Sequence, residues 1–106
     1  MQIGNLLESV PSGLPSELVD TLATSGTTRI ERIVSKGHCS APGFWYDQTE
    51  NEWVLLVKGE ARLQFKRDNR IVHLHEGMYI NILAHEAHRV DWTAEDCDTI
   101  WLAVFY

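Results

Sequence analysis

Cysteine, clustered basic charge and long apolar runs are all scarce in this 106-residue chain, and each scarcity closes off a class of protein. Two cysteines, Cys39 and Cys97, cannot build the disulfide framework of a small secreted domain, so reduced thiols in a cytoplasmic protein are expected. Nine Lys and Arg stand against fifteen Asp and Glu, for a formal net charge of -6. The basic residues are scattered, which argues against a nucleic-acid backbone or an anionic membrane as the main partner. Apolar runs such as Trp53–Val57 fall far short of the roughly 20 residues of a membrane helix. The N-terminus shows no basic head with an apolar signal core. The first 26 residues also lack any aromatic side chain, which sets them apart from the rest.

What is present is enough apolar material, 44% of residues including four Trp, to build one core in a chain of single-domain size. Residues 1–26 read as an N-terminal arm. Within it, Pro15–Thr24 is predicted as a short helix, because Pro15 and Glu17 suit a first turn and Leu14, Leu18 and Leu22 recur every four residues, with Gly26 as the stop. From Thr27 onward the period changes to two, and residues 27–106 read as a β-barrel or sandwich of short strands. Strands are predicted at Arg29–Ser35, Glu52–Val57, Ala61–Lys66, Arg70–His75, Met78–Leu83, Ala87–Trp92 and Thr99–Phe105. Asp68 and Asn69 tolerate positive φ and mark a hairpin turn, as do Glu76 and Gly77.

Two arrangements carry chemistry. Glu52 opens an apolar strand and is followed, after six intervening residues, by Gly59; a carboxylate there is expensive to bury unless a metal ion or a basic partner neutralises it. Downstream, Gly77 leads through a strand to His85, Glu86 and His88, and His88, Val90 and Trp92 share one face. With this order and spacing the chain resembles the cupin superfamily, whose motifs are approximately G(X)5HXH(X)3,4E(X)6G and G(X)5PXG(X)2H(X)3N. The resemblance spans about residues 30–106 and implies an all-β fold, a double-stranded β-helix or jelly-roll barrel of the RmlC-like type. It also implies that Glu52 and His88 face into the barrel and hold a divalent metal, zinc, manganese, nickel or iron.

The paired histidines of the first family motif are absent. One spacing puts Tyr46 and Gln48 in their place, the other Trp45 and Asp47. Strand parity with Glu52 favours Gln48, whereas Asp47 is the better metal ligand and a bulge could re-aim it. Glu52, His88, Gln48 and Asp47 are therefore the candidate metal ligands, with Tyr46, Trp45 and His38 around the pocket. Leu83, His85 and Trp92 also depart from the second motif. His73 and His75 form a further HxH pair, read as solvated residues ahead of the turn. Trp53 alternates away from Glu52 and is the expected contact of a homodimer. Two functions are carried forward: a metal-dependent enzyme acting on a small molecule, and a non-catalytic small-molecule binding or sensing module that has lost catalysis and the metal.

Overall fold

A computed structural model describes all 106 residues, and they form eight β-strands and no helix. The strands are β1 (Leu18–Ser25), β2 (Thr28–Ser35), β3 (Glu52–Lys58), β4 (Glu60–Phe65), β5 (Arg70–His75), β6 (Tyr79–Ile82), β7 (His88–Thr93) and β8 (Thr99–Phe105). A five-stranded antiparallel sheet in the order β1-β2-β8-β3-β6 faces a three-stranded sheet in the order β5-β4-β7. Side chains alternate along each strand, so Glu52, Val54 and Leu56 on β3, and Ala61, Leu63 and Phe65 on β4, are buried between the sheets. Leu74, Ile82, Trp101, Ala103 and Phe105 complete the core. No helix is long and apolar enough to cross a membrane.

The helix expected over Pro15–Thr24 is absent. Leu18–Ser25 is instead a strand paired in antiparallel register with β2, Leu18 opposite Val34 and Ser25 opposite Thr28. The four-residue spacing of Leu14, Leu18 and Leu22 is one helical turn, but it is also twice the period of a strand, and β-branched Val19, Thr21 and Thr24 fit the second reading. Gly26, at φ 58°, turns a hairpin rather than ending a helix. On the outer side of the β1–β2 hairpin the buried Arg32 guanidinium pairs with Asp20 at 2.6 Å and donates to the carbonyls of Leu6 and Glu8. This tethers the segment preceding β1.

The turn between β3 and β4 is the tightest in the barrel. Gly59 sits at φ 93°, and a Cβ there would lie 2.7 Å from Thr99 Cα and 3.0 Å from the Asp98 carbonyl oxygen. Backbone is what it would strike, so no side-chain rotation relieves the clash. Gly59→Ala is expected to destabilise the fold by about 3 kcal/mol, from positive-φ strain together with displacement of the start of β8. Urea unfolding measures this, and a loss below about 1 kcal/mol would show the turn to be unconstrained.

Candidate functional site in the barrel

The site is organised by the long connection between β2 and β3. This segment runs along β7, with Gly37 N–H donating to Ala94 O at 2.8 Å, Ser40 N–H to Val90 O at 2.9 Å and Tyr46 N–H to His88 O at 2.7 Å. His88 N–H returns a bond to Tyr46 O at 3.0 Å, so Tyr46 and His88 form an antiparallel bridge. Directly opposed residues project to the same side. Tyr46 therefore faces inward with His88, their rings stacked at 5.5 Å, and Gln48, two residues on, lines the same cavity.

The cavity has a volume of about 240 Å³. At its centre the buried His88 Nε2 lies 3.5 Å from Glu52 Oε1. His88 Nδ1 is 2.8 Å from the Glu86 carbonyl oxygen, which only accepts, so Nδ1 carries a proton and Nε2 is the nitrogen turned to Glu52. Burial works against charge on His88, but the hydrogen bond with Glu52 and the Glu86 carbonyl outweigh it and raise its pKa. Burial, reinforced by Glu17 and Glu52, pushes the Tyr46 phenol up, so it stays protonated. Leu63, Ile82, Val90 and Phe105 supply apolar wall.

Asp47, Trp45 and His38 do not join this group. Asp47 faces outward and pairs with exposed His85 at 2.8 Å. Trp45 lies on the outer side, with the Lys66 ammonium 5.9 Å from its ring centre. His38 Nδ1 accepts from Lys36 N–H at 2.9 Å and its Nε2 donates to Leu14 O at 2.9 Å, which makes it a tether for the N-terminal segment. Cys39 and Cys97 are free thiols.

Three charged cavity residues escape the motif argument: Glu17, Arg29 and Glu31. Arg29 and Glu31 share parity with Ile33 on β2, a signal available in the sequence; Glu17 was obscured by the helical reading of its segment. Arg29 is bonded to Glu31 at 2.8 Å and to Glu50 at 3.1 Å, and lies 4.2 Å over the Phe105 ring. Glu17 accepts from Ser35 Oγ at 3.2 Å.

The donor set can be weighed against the metal that the fold implies. Ligands about 2.0–2.2 Å from a divalent ion lie about 3 Å apart, and the His88–Glu52 separation is close to that. The Nδ1–H bond to a backbone carbonyl is the arrangement that presents Nε2 to a metal. These two residues fit. Tyr46 and Gln48 add only a neutral phenol and a neutral amide, weaker donors than imidazole.

Comparisons with known proteins agree with this architecture. A protein of Ralstonia eutropha JMP134, described as a candidate mannose-6-phosphate isomerase, is 40% identical and superposes with a TM-score of 0.95, over 99% of this chain and 97% of that one. A cupin superfamily protein of Desulfitobacterium hafniense DCB-2 is 18% identical with a TM-score of 0.73, over 91% of this chain and 82% of its own. An RmlC-like cupin of Desulfovibrio desulfuricans is 16% identical, also at 0.73, over 99% and 95%. No family model and no curated protein matches the sequence. The chain is a small cupin-fold domain with a barrel of the RmlC-like type, and it belongs to one family with the Ralstonia eutropha protein.

Glu17 gives a pH test of the cavity. Burial raises its pKa, outweighing the Ser35 hydrogen bond that lowers it. The native state then holds the proton more tightly than the unfolded chain, so this group costs nothing below the unfolded carboxyl range and costs stability as pH rises through its folded pKa. Glu17→Gln is expected to stabilise the protein at neutral pH and to match the wild type under acid conditions. Urea midpoints collected from acid to neutral pH check this; a constant difference across the series would contradict it.

Proposed function

We propose that this chain binds a small molecule in the barrel at a divalent metal ion held by Glu52 and His88, with Gln48 as a further donor. The observation that carries the reading is the His88 Nδ1–H bond to the Glu86 carbonyl, which turns Nε2 toward a buried carboxylate. A metal bound there would polarise a ligand oxygen or activate water or dioxygen. Around it, the Tyr46 phenol offers a hydrogen bond to the ligand from the His88 side, and the apolar wall excludes bulk water, which strengthens each polar contact.

Charge narrows the ligand class. Glu17, Glu31 and Glu52 line the cavity, while Arg29 is already engaged by two carboxylates. Apart from the proposed metal, a phosphate ester would find no unengaged cation here, so the activity named for the Ralstonia eutropha relative is not carried over. A small neutral molecule suits the charges better.

The second reading is a metal-free binding module in which His88 and Glu52 form an ion pair. It is favoured by Tyr46 and Gln48 standing where the family motif has histidines. Metal analysis of the purified protein separates the two. Stoichiometric zinc, manganese, nickel or iron is expected, with one equivalent fewer in Glu52→Gln and in His88→Gln. Gln48→Ala is expected to weaken metal binding, and Asp47→Ala to leave it unchanged. A metal-free wild type whose melting temperature ignores added metal would leave the second reading.

A homodimer through the outer face of the larger sheet forms part of the same proposal. Trp53 stacks there on exposed Tyr79 at 5.5 Å between ring centres, an aromatic pair at the surface. Light scattering is expected to give about twice the 12.1 kDa chain mass, falling toward one chain in Trp53→Glu; a mass near one chain for the wild type would refute the dimer.

A further inference from the structure

On the outer face of the smaller sheet, remote in function from the cavity, Glu60, His73 and His75 come together. We infer that these three residues form a second divalent-metal site, one that takes zinc or a similar borderline cation. Their donor atoms all lie within 4.8 Å of one another.

The backbone builds this cluster directly. His73 and His75 share parity on β5, and β4 pairs with β5 so that Glu60 stands opposite His75 and Arg62 opposite His73. All three side chains project to the solvent side, where no displacement of core atoms is needed to admit an ion. The imidazole rings already lie side by side, with centres 4.4 Å apart, and His73 Nε2 contacts the Glu60 carboxylate. Ligands held about 2.0–2.2 Å from zinc sit about 3 to 3.5 Å apart, so side-chain rotation alone closes the remaining gap.

The surroundings favour a cation rather than compete with it. Arg62 is the nearest basic side chain by register, yet its guanidinium is drawn over the Trp92 ring at 5.0 Å and toward Asp91 at 3.6 Å. Trp92 also meets the edge of His73 at 6.3 Å, which limits the ring's freedom. Two imidazoles and one carboxylate are a donor set that zinc uses when it keeps a position open for water or another ligand. Because β5 pairs only with β4, an ion here would bridge an edge strand to its single neighbour.

The test is a zinc titration of the full chain by calorimetry, with melting temperature read in parallel. In a Glu52→Gln/His88→Gln background, which removes the donors proposed in the barrel, one equivalent of zinc is expected to bind and to raise the melting temperature. Losing an outer-shell partner alone costs a metal site about 10- to 100-fold in affinity, so His73→Ala and His75→Ala should each lose at least that much and abolish the thermal shift. Should the barrel variant unfold, His73→Ala/His75→Ala in the otherwise native chain serves instead. It changes only exposed side chains and should lower the zinc stoichiometry by one. Unchanged stoichiometry and affinity in that variant would overturn the outer site, whereas unchanged binding in the barrel variants alone would count against the barrel metal and leave this site standing.

Discussion

The reciprocal backbone bridge between Tyr46 and His88 is the constraint on which the rest of the barrel site depends. Two hydrogen bonds hold an otherwise irregular connection against the first residue of β7. From that bridge Tyr46 faces inward, and Gln48 lines the cavity with it, whereas Trp45 and Asp47 do not. The same contact stacks the phenol on the imidazole whose other nitrogen is fixed by Glu86. Ring stacking and cavity lining thus follow from one pair of peptide groups, and the Glu86 carbonyl adds the tautomer.

Much of the fold could be read from the chain because the relevant signals are local. Gly59 marks a turn that only glycine accommodates, and the alternation Ala61, Leu63, Phe65 against Arg62, Gln64, Lys66 fixes both strand and facing. Glu52 and His88 were legible for a different reason: a carboxylate opening an apolar strand and a histidine sharing a face with apolar neighbours are both costly unless they meet something. The Gln48 or Asp47 ambiguity was not resolvable from spacing, since it turned on whether a bulge intervenes, and only the partner strand decides that. The N-terminal strand was misread because four residues is a multiple of both relevant periods, and the competing signal, pairing with β2, is not local.

The electrostatics of the molecule divide between its two faces of histidine. Inside, His88 is isolated among apolar and aromatic side chains and answers mainly to Glu52. Outside, His73 meets Glu60 in a contact open to solvent, with His75 beside it. A single residue type therefore meets carboxylate partners in two dielectric settings within one small domain. The inner pairing is the more buried, and the outer is the more accessible.

The strand order carries a consequence for how this domain assembles. In the larger sheet β8 lies between β2 and β3, so the β1–β2 hairpin joins the remaining strands of that sheet only through Thr99–Phe105. The free edge of the first hairpin in chain order is paired only by the last strand. Contacts of such long sequence separation carry a high loop-closure cost and slow the search for the native pairing. Trp101 and Phe105 of β8 line the cavity, so the cavity is complete only with the final strand in place.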